Sequence, residues 1–233
     1  MNKFNKIIMC ILHPGFYKAY MNGVAPLFEL YPLLNRTNQI KTIIDVGSNK
    51  GQFSLLGSSI FPAAKIYSFE PQIKYLNLQK IILEGKKVKY FNFGLGNLKK
   101  KINFYITNRE DSSSFLKPTQ IKIDKYKTKK IEKISVKRLD GIISVSEIKR
   151  PSIMKLDVQG YELEVLKGSK NLLKNIDFII TEISFKKIYK NQVTRKKLLK
   201  FLNKNNFKSK KMLNISKMNN KLFQGDVLFA RNK

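Results

Sequence analysis

Cysteine and histidine are almost missing from this 233-residue chain, which contains one of each, Cys10 and His13. A lone cysteine excludes a disulfide framework within the chain and is typical of proteins in a reducing compartment. Zinc sites need several cysteine or histidine ligands, which this composition does not supply. The sequence therefore predicts a cytoplasmic protein without a metal site.

Acidic residues are also scarce, with 16 against 46 basic residues and a net charge of +30. Such an excess could attract nucleic acid, an anionic membrane or an acidic glycan. It could equally reflect a composition rich in lysine, isoleucine and asparagine, as A/T-rich codons produce. We favour composition, because the lysines are dispersed outside 127–133 and 195–211 and no aromatic-rich basic motif accompanies them. We therefore predict no specific nucleic-acid partner, although the charge would suit an anionic acceptor.

Long hydrophobic runs are absent as well. The run Ile7–Leu12 near the N-terminus is too short for a membrane span and lacks a small-residue cleavage site. We predict an amphipathic helix there, within an N-terminal helical segment of residues 1–40. The length then allows one further domain with a sizeable core, residues 41–233.

The chain is organised around a strand, a glycine turn and a helix. Thr42–Val46 is a mostly β-branched run without alternation, which is typical of a strand covered on both faces. The run ends at Gly47, and Gly51 precedes the apolar positions of a helix. Such a turn presents backbone N–H groups to a ligand, and its glycines allow close approach. It is also an ordinary strand-to-helix connection, so the glycines alone do not decide between the two interpretations.

Two carboxylates favour a nucleotide-like ligand. Asp45 lies at the carboxyl end of the first strand, and Glu70 ends a second run about twenty residues later. A carboxylate at that place can accept both ribose hydroxyls, and Pro71 could begin the next helix. The NAD fingerprint needs a glycine where Asn49 stands, and an acid before Gly47 suits a cationic ligand. The turn therefore favours S-adenosylmethionine over NAD.

The sequence resembles the FkbM-type methyltransferases over roughly residues 41–231. The matching blocks are, in chain order, Ile44–Gly51, Phe69–Pro71, Ser112–Ser114, Val136–Asp140, Met154–Gly168 and Gly225–Ala230. The resemblance implies an α/β, Rossmann-like class I methyltransferase fold, with a mostly parallel sheet, helices on both faces and an antiparallel C-terminal strand. It also implies S-adenosylmethionine as donor and a hydroxyl acceptor, often on a sugar or polyketide. Gln159 departs from the family, which often has glutamate there.

The turn and the resemblance together predict the residues around the donor and the acceptor. The predicted cofactor-binding residues are Asp45, Gly47, Ser48, Asn49, Gly51, Glu70, Pro71, Phe93, Gly94 and Leu95. The last three end the third strand, which lies beside the adenine in this fold, although a plain strand-end turn would explain the glycines equally well. Residues 111–130 are polar and lysine-rich and predict a mobile loop, in which Ser112, Ser113 and Ser114 could hydrogen-bond the acceptor. A serine-rich turn is the alternative.

With no histidine at the motifs, an acceptor hydroxyl would have to lose its proton to a carboxylate. The candidates are Asp157, Glu162 and Glu182, which lie at or just after the carboxyl ends of two predicted strands. Each has an alternative role: Asp157 could position the donor's amino-acid part, Glu162 could stabilise a helix N-terminus, and Glu182 could pair with Lys155. The acidic residues are too sparse to predict a magnesium site.

The remaining secondary structure follows from periodicity and from the positions of proline and glycine. The predicted strands are 42–46, 65–70, 88–93, 101–107, 131–136, 152–156 and 178–183, followed by an antiparallel hairpin of 208–215 and 222–230. The predicted helices are 52–61, 71–83, 139–149 and 194–205, with short helices between 16 and 34.

The sequence as a whole predicts an S-adenosylmethionine-dependent O-methyltransferase acting on a hydroxyl of a sugar, glycan precursor or similar small molecule. The alternatives are an RNA methyltransferase and a cofactor-binding but inactive module, with an NAD oxidoreductase as third choice. Leu156–Gly160 lacks the proline-proline-aromatic turn of enzymes that methylate amino groups of nucleic acids. Asp45 and Glu70 are both present, which argues against an inactive module. The sequence predicts no oligomeric state.

Overall fold

The computed structural model describes residues 14–232 except Arg36, Asn38, 120–122 and Asn219. The predicted helix in the first twelve residues, Cys10 and His13 lie outside the described residues. Within the described part of the chain, no helix is long and apolar enough to cross a membrane.

Helices and strands alternate between residues 31 and 91, and strands then follow one another up to residue 156 without an intervening α-helix. The α-helices are α1 (Pro14–Met21), α2 (Tyr31–Leu34), α3 (Gln52–Ile60), α4 (Ile73–Ile82), α5 (Glu162–Gly168) and α6 (Arg195–Lys204). The strands are β1 (Thr42–Val46), β2 (Lys65–Phe69), β3 (Val88–Phe91), β4 (Gly94–Leu95), β5 (Lys100–Thr107), β6 (Thr128–Lys137), β7 (Ser152–Leu156), β8 (Phe178–Ser184), β9 (Phe207–Met218) and β10 (Lys221–Arg231).

The central sheet has seven strands in the order β3-β2-β1-β7-β8-β10-β9. The first five are parallel, whereas β10 runs antiparallel to both of its neighbours. The predicted fold is therefore confirmed, including the terminal hairpin. Every residue of β1 and of β7 is buried, as expected for central strands with both faces covered. Because β1 pairs with β2 on one side and with β7 on the other, a crevice opens at the carboxyl ends of these strands.

Two hydrophobic cores cover the two faces of this sheet. One face packs against α5 and α6. The other face packs against α3, α4 and the short helices before β1, so that Phe16 and Leu34 share a core with Ile43. The helical segment before the sheet thus contributes buried side chains to it. The domain boundary at residue 40 stays a prediction.

Three local predictions were wrong. Residues 139–149 form two short 3-10 turns, Leu139–Gly141 and Val145–Glu147, instead of one helix. The predicted loop 111–130 is partly built into a second sheet of order β4-β6-β5, since β6 begins at Thr128 and Ser114 forms a β-bridge with Tyr105. Helix α4 begins at Ile73 rather than at Pro71, because Gln72 before it is extended.

Candidate functional site

A cleft of about 420 Å³ opens at the carboxyl ends of the parallel strands. It lies where an α/β sheet with this strand order binds its ligand, and its volume falls in the usual range for a small-molecule site. The predicted site residues that line it are Asp45, Gly47, Ser48, Asn49, Glu70, Pro71, Phe93, Gly94, Leu95, Ser112, Ser113, Asp157 and Glu182. Gly51, Ser114 and Glu162 are not among the lining residues.

Asp45 is fully buried at the end of β1. Its Oδ2 accepts a hydrogen bond from Ser54 Oγ at 2.7 Å, whereas its Oδ1 has no partner among the described residues. Burial raises the pKa of this carboxyl, although the positive charge of Lys155 partly offsets the effect. A buried acceptor without a partner at the wall of a cleft suits a ligand that brings a donor or a positive charge.

The glycines of the first turn serve backbone packing. Gly47 has a φ of +73°, and a Cβ there would lie 2.1 Å from the carbonyl oxygen of Asp157. A Cβ on Gly51, at φ +81°, would lie 2.7 Å from the Gln79 side chain. The space that a side chain would need at both positions is filled by the protein itself. Contact of these glycines with the cofactor stays a prediction.

Glu70 ties the ends of β1 and β2 together. Its Oε2 accepts the N–H of Asn49 and its Oε1 accepts the N–H of Gln72, both at 2.8 Å. Burial raises its pKa to about 7, although these two hydrogen bonds favour the charged form. Each oxygen keeps a free lone pair, so the carboxylate can still accept from a ligand hydroxyl.

The Gln79 side chain supports the same turn through hydrogen bonds, and the sequence did not predict this role. It is completely buried on α4, where Ser68 Oγ donates to its Oε1 and its Nε2 donates to Ser48 Oγ. The next residue, Lys80, is exposed. An isolated glutamine in a helix gives no sequence signal that distinguishes this role from an ordinary surface position.

Aromatic rings line the cleft beyond Glu70. Phe69 stacks on Phe91 with ring centroids 4.6 Å apart, and Phe93 lies 5.9 Å from Phe69. Phe69, Phe93 and Leu95 all reach the cleft wall. This end of the cleft can hold a flat apolar ring beside a hydroxyl-binding carboxylate.

Lys155 and Asp157 form an ion pair at the other end of the cleft. The Lys155 side chain is 5% exposed and its Nζ lies 2.9 Å from Asp157 Oδ2, while the Asp157 side chain is 37% exposed. Burial opposes ionisation of Asp157, but the charge of Lys155 and hydrogen bonds from Lys155 and Gln159 outweigh it and lower the pKa. Asp157 is therefore held as a carboxylate in the cleft.

Glu182 has the opposite perturbation. Burial raises its pKa well above the usual value, and the negative charges of Asp157, Glu162 and Asp226 add to the effect. Its Oε2 accepts hydrogen bonds from Gln224 Nε2 at 2.7 Å and from Gln159 Nε2 at 3.4 Å. Lys155 hydrogen-bonds Asp157 rather than Glu182, so the pairing considered for Glu182 is not observed.

Gln159 links the two carboxylates. Its Nε2 donates to Asp157 Oδ1 at 2.9 Å as well as to Glu182, and its Oε1 accepts from Tyr189 Oη at 3.0 Å. The residue has a φ of +52°. Its amide suits this position because the amide nitrogen donates to both acids without adding a third negative charge.

The structure does not bring Glu162 to the cleft. Its side chain is 3% exposed, and its Oε1 accepts the N–H of Gly160 at 2.9 Å at the start of α5. Burial raises its pKa to about 7 against the opposing effect of this bond. These contacts agree with the alternative considered for Glu162, a role at its own helix terminus.

The three serines differ in position. Ser112 and Ser113 line the cleft, and Ser113 Oγ accepts the N–H of Thr107 at 3.1 Å. Ser114 is 1% exposed and donates from Oγ to the carbonyl oxygen of Gln159 at 2.8 Å. Ser114 therefore supports the loop that carries Gln159, and contact with an acceptor stays a prediction for the other two.

Comparison with protein families shows to which family the chain is related. Residues 45–209 match the family described as the Methyltransferase FkbM domain. The chain belongs to this family. The predicted resemblance is thereby confirmed. The FkbM methyltransferases use S-adenosylmethionine, which is therefore the cofactor of this chain, as predicted.

Two curated proteins are similar to this FkbM domain. One is the hexuronic acid methyltransferase AglP of Haloferax volcanii, which is 27% identical over 157 residues covering 65% of this chain. The matched region spans 59% of the length of AglP. The other is the 2-O-methyltransferase NoeI of Sinorhizobium fredii, which is 22% identical over 184 residues and 75% of each chain.

Solved structures show the same fold at lower identity. A Listeria monocytogenes protein assigned as an S-adenosylmethionine-dependent methyltransferase superposes with a TM-score of 0.50 at 10% identity. The match covers 88% of this chain and 98% of that one. This match supports the class I methyltransferase fold and does not identify the acceptor.

The cleft fits S-adenosylmethionine by its chemistry. The free Oδ1 of Asp45 offers a buried acceptor to a cationic ligand, and Glu70 offers its lone pairs to a ribose. The aromatic wall around Phe93 offers an apolar surface to adenine. Among the described residues, no cluster of three or more histidine, cysteine, aspartate or glutamate side chains could hold a metal ion.

Sequence reasoning missed several cleft residues of the acceptor end. They are Arg109, Lys125, Lys155, Gln159, Gln224 and Asp226. Lys155 and Gln159 lie in the matched block around Asp157, so their closeness to a candidate carboxylate was an available signal. Asp226 lies in the matching block Gly225–Ala230, but neither it nor Gln224 is near a candidate carboxylate in the sequence.

Proposed function

We propose that this protein transfers the methyl group of S-adenosylmethionine to a hydroxyl oxygen of a sugar or glycan precursor. The observation that carries the proposal is the pair of carboxylates Asp157 and Glu182, which line the same cleft as Asp45 and Glu70. A cofactor-binding module without activity would not need two carboxylates with oppositely perturbed pKa values there. The names of AglP and NoeI, a hexuronic acid methyltransferase and a 2-O-methyltransferase, support a sugar hydroxyl as acceptor.

When bound, the donor supplies a methyl group on a sulfonium sulfur. A hydroxyl oxygen can attack the methyl carbon in line and displace the sulfur. The new O–C bond replaces the S–C bond, and the hydroxyl proton must leave. In our proposal Glu182 takes that proton, and Asp157 holds the acceptor hydroxyl in position as a hydrogen-bond acceptor. The cleft walls contribute by aligning the two reactants at near-contact distance.

Two observations favour Glu182 over Asp157 as proton acceptor. Both oxygens of Asp157 already accept bonds, from Lys155 and Gln159, and its lowered pKa makes it a weak base. Glu182 receives its bonds on Oε2, and its raised pKa makes its carboxylate a stronger base than that of Asp157. The sequence alone ranked Asp157 first, and this proposal reverses that order.

Lys125 is the feature that favours an acidic acceptor, in a cleft whose lining has more acidic than basic residues. Arg109 and Lys125 both line the cleft, and their segments are joined by a hydrogen bond from Arg109 N–H to the carbonyl oxygen of Lys125. Arg109 pairs with Asp111, whereas Lys125 lies 4.6 Å over the Tyr126 ring. An ammonium held over an aromatic ring at the cleft suits the carboxylate of a uronic acid. A cytoplasmic location is part of the proposal and is supported by the lone cysteine.

The test is methyl transfer from labelled S-adenosylmethionine to a panel of neutral sugars, uronic acids and their nucleotide derivatives, with RNA as an alternative substrate. We expect a methyl ether on a sugar hydroxyl and faster transfer to acidic sugars. The Glu182→Gln variant serves as the inactive control. Methylation of RNA alone, or donor binding without turnover on any acceptor, would contradict the proposal.

A further inference from the structure

A second groove lies at the opposite edge of the central sheet, where the parallel strands begin. It is lined by residues at the amino ends of β1, β2 and β3, three neighbouring strands, and by residues of the segment that leads into β7. The lining residues are Lys41, Thr42, Ala63, Lys65, Lys86, Lys87, Val88, Lys89, Ser146, Glu147 and Lys149. Strands of this length rise roughly 17 Å, so the groove is separate from the methyl-transfer cleft.

The groove concentrates positive charge beyond the level of the chain as a whole. Six of its eleven lining residues are lysines and one is a glutamate, whereas lysine and arginine together supply 46 of 233 residues overall. Among the described residues, Lys41, Lys86, Lys87 and Lys149 form no ion pair with a carboxylate. Composition alone does not explain such clustering, because the lysines come from separate segments that the fold brings together.

Two of the lysines are held in place. Glu147 Oε1 lies 3.4 Å from Lys65 Nζ and 3.1 Å from Lys89 Nζ, and it also accepts a hydrogen bond from Tyr67 Oη at 3.2 Å. The same two ammonium groups lie 4.9 Å and 5.8 Å from the centroid of the Tyr67 ring. Glu147 itself accepts the backbone N–H of Ser144. Lys65 and Lys89 are thus preorganised rather than free in solvent.

We propose that this groove binds a ligand with closely spaced negative charges, a diphosphate or polyphosphate group. Lysine ammonium groups bind phosphate as point charges, and a groove with a net charge of +5 (six lysines minus one glutamate) favours a multivalent anion over a single carboxylate. Such a group could belong to a soluble phosphorylated compound or to an anionic lipid headgroup. The site goes beyond the proposed methyl transfer and does not depend on it.

The test compares two variants with the same change in net charge. The groove variant is Lys41→Gln/Lys86→Gln/Lys87→Gln, and the matched control is Lys196→Gln/Lys197→Gln/Lys200→Gln on the exposed face of α6. Tripolyphosphate binding is measured by calorimetry at fixed ionic strength. We expect the groove variant to bind about tenfold more weakly or worse and the control to bind nearly as the wild type does.

Vesicles of a phosphate-headgroup lipid in neutral lipid distinguish the two sources. Vesicle binding lost in the groove variant and kept in the control identifies a headgroup, and tripolyphosphate binding without vesicle binding identifies a soluble ligand. Equal losses of tripolyphosphate affinity in both variants would mean that only the net charge matters, and would contradict a binding site in this groove. Absence of tripolyphosphate binding to the wild type, including the case of RNA binding instead, would overturn it as well.

Discussion

Replacing Glu182 by glutamine tests the assignment of the proton acceptor. The glutamine oxygen can still accept the bond from Gln224 Nε2, so the change removes the charge and the basicity but little packing. A positioned general base contributes roughly 10²–10⁴-fold, so we expect kcat to fall by that factor, or about 3–5 kcal/mol of barrier. S-adenosylmethionine affinity should change little, because Glu182 makes no bond to the donor-end residues Asp45 and Glu70.

The pH dependence makes this test specific. A base must be deprotonated to act, so kcat/KM in the wild type should rise with pH through the raised pKa of Glu182. Asp226 lies opposite Glu182 in the β8–β10 register, and its charge contributes to that raised pKa. Asp226→Asn should therefore move the rising limb to lower pH and keep the plateau rate. A role of Glu182 in structure alone would not produce this shift.

Asp157→Asn is the comparison, and the structure changes what it is expected to do. It would leave the nearly buried Lys155 ammonium without its partner at 2.9 Å. Breaking a fully buried pair costs 3–5 kcal/mol, but Asp157 is more than a third exposed, so we expect about 1–3 kcal/mol of stability loss. The double variant Lys155→Met/Asp157→Asn removes both charges and separates stability from catalysis. If Glu182→Gln keeps the wild-type rate and pH profile while Asp157→Asn loses activity at intact fold, the base is Asp157 and our reasoning is refuted.

Three further predictions concern the donor, stability and the acceptor. Glu70→Ala should weaken S-adenosylmethionine binding by about 1.5–3 kcal/mol in calorimetry through the loss of a charge-assisted hydrogen bond; unchanged affinity would remove Glu70 from the donor site. Glu162 binds more protons in the folded state, since its folded pKa of about 7 exceeds the ordinary value of 4.5. The free energy of unfolding should therefore fall between about pH 4.5 and 7, by on the order of 3 kcal/mol from this group. Glu162→Gln should remove that part of the decline in urea unfolding at pH 5 and 8, and a decline of unchanged size would exclude Glu162 as its source. Lys125→Met should raise KM for a uronic acid several-fold and leave KM for a neutral sugar nearly unchanged; equal effects on both would exclude charge recognition.

The strands around the cleft could be predicted because their residues allow few alternatives. Thr42–Val46 and Ser152–Leu156 are short apolar runs between turn residues, and both strands have the predicted bounds. The donor end of the cleft could be predicted as well, because Asp45 and Glu70 lie at the carboxyl ends of such strands. Residues 139–149 were harder, because helical spacing of apolar residues does not distinguish an α-helix from successive 3-10 turns.

The acceptor end depends on contacts that no local pattern encodes. Gln159 links two acids, Asp157 and Glu182, that lie at the ends of different strands. Burial is the main cause of the raised pKa of Glu182, and strand pairing adds the charge of Asp226, which lies opposite it. Ser114 looked like its two neighbours in the sequence, yet it alone hydrogen-bonds the loop of Gln159. Tertiary placement decides each of these cases.

The terminal hairpin supplies part of the cleft wall from beyond the family match. The family match ends at residue 209, whereas Asn214, Gln224 and Asp226 reach the cleft from β9 and β10. The hairpin also reaches the proposed base, because Gln224 Nε2 donates to Glu182 Oε2 across the antiparallel pairing of β8 and β10. The end of the chain and the proposed base therefore form one structural unit. Exchanging the hairpin for that of a relative should alter the surroundings of Glu182 together with the cleft wall.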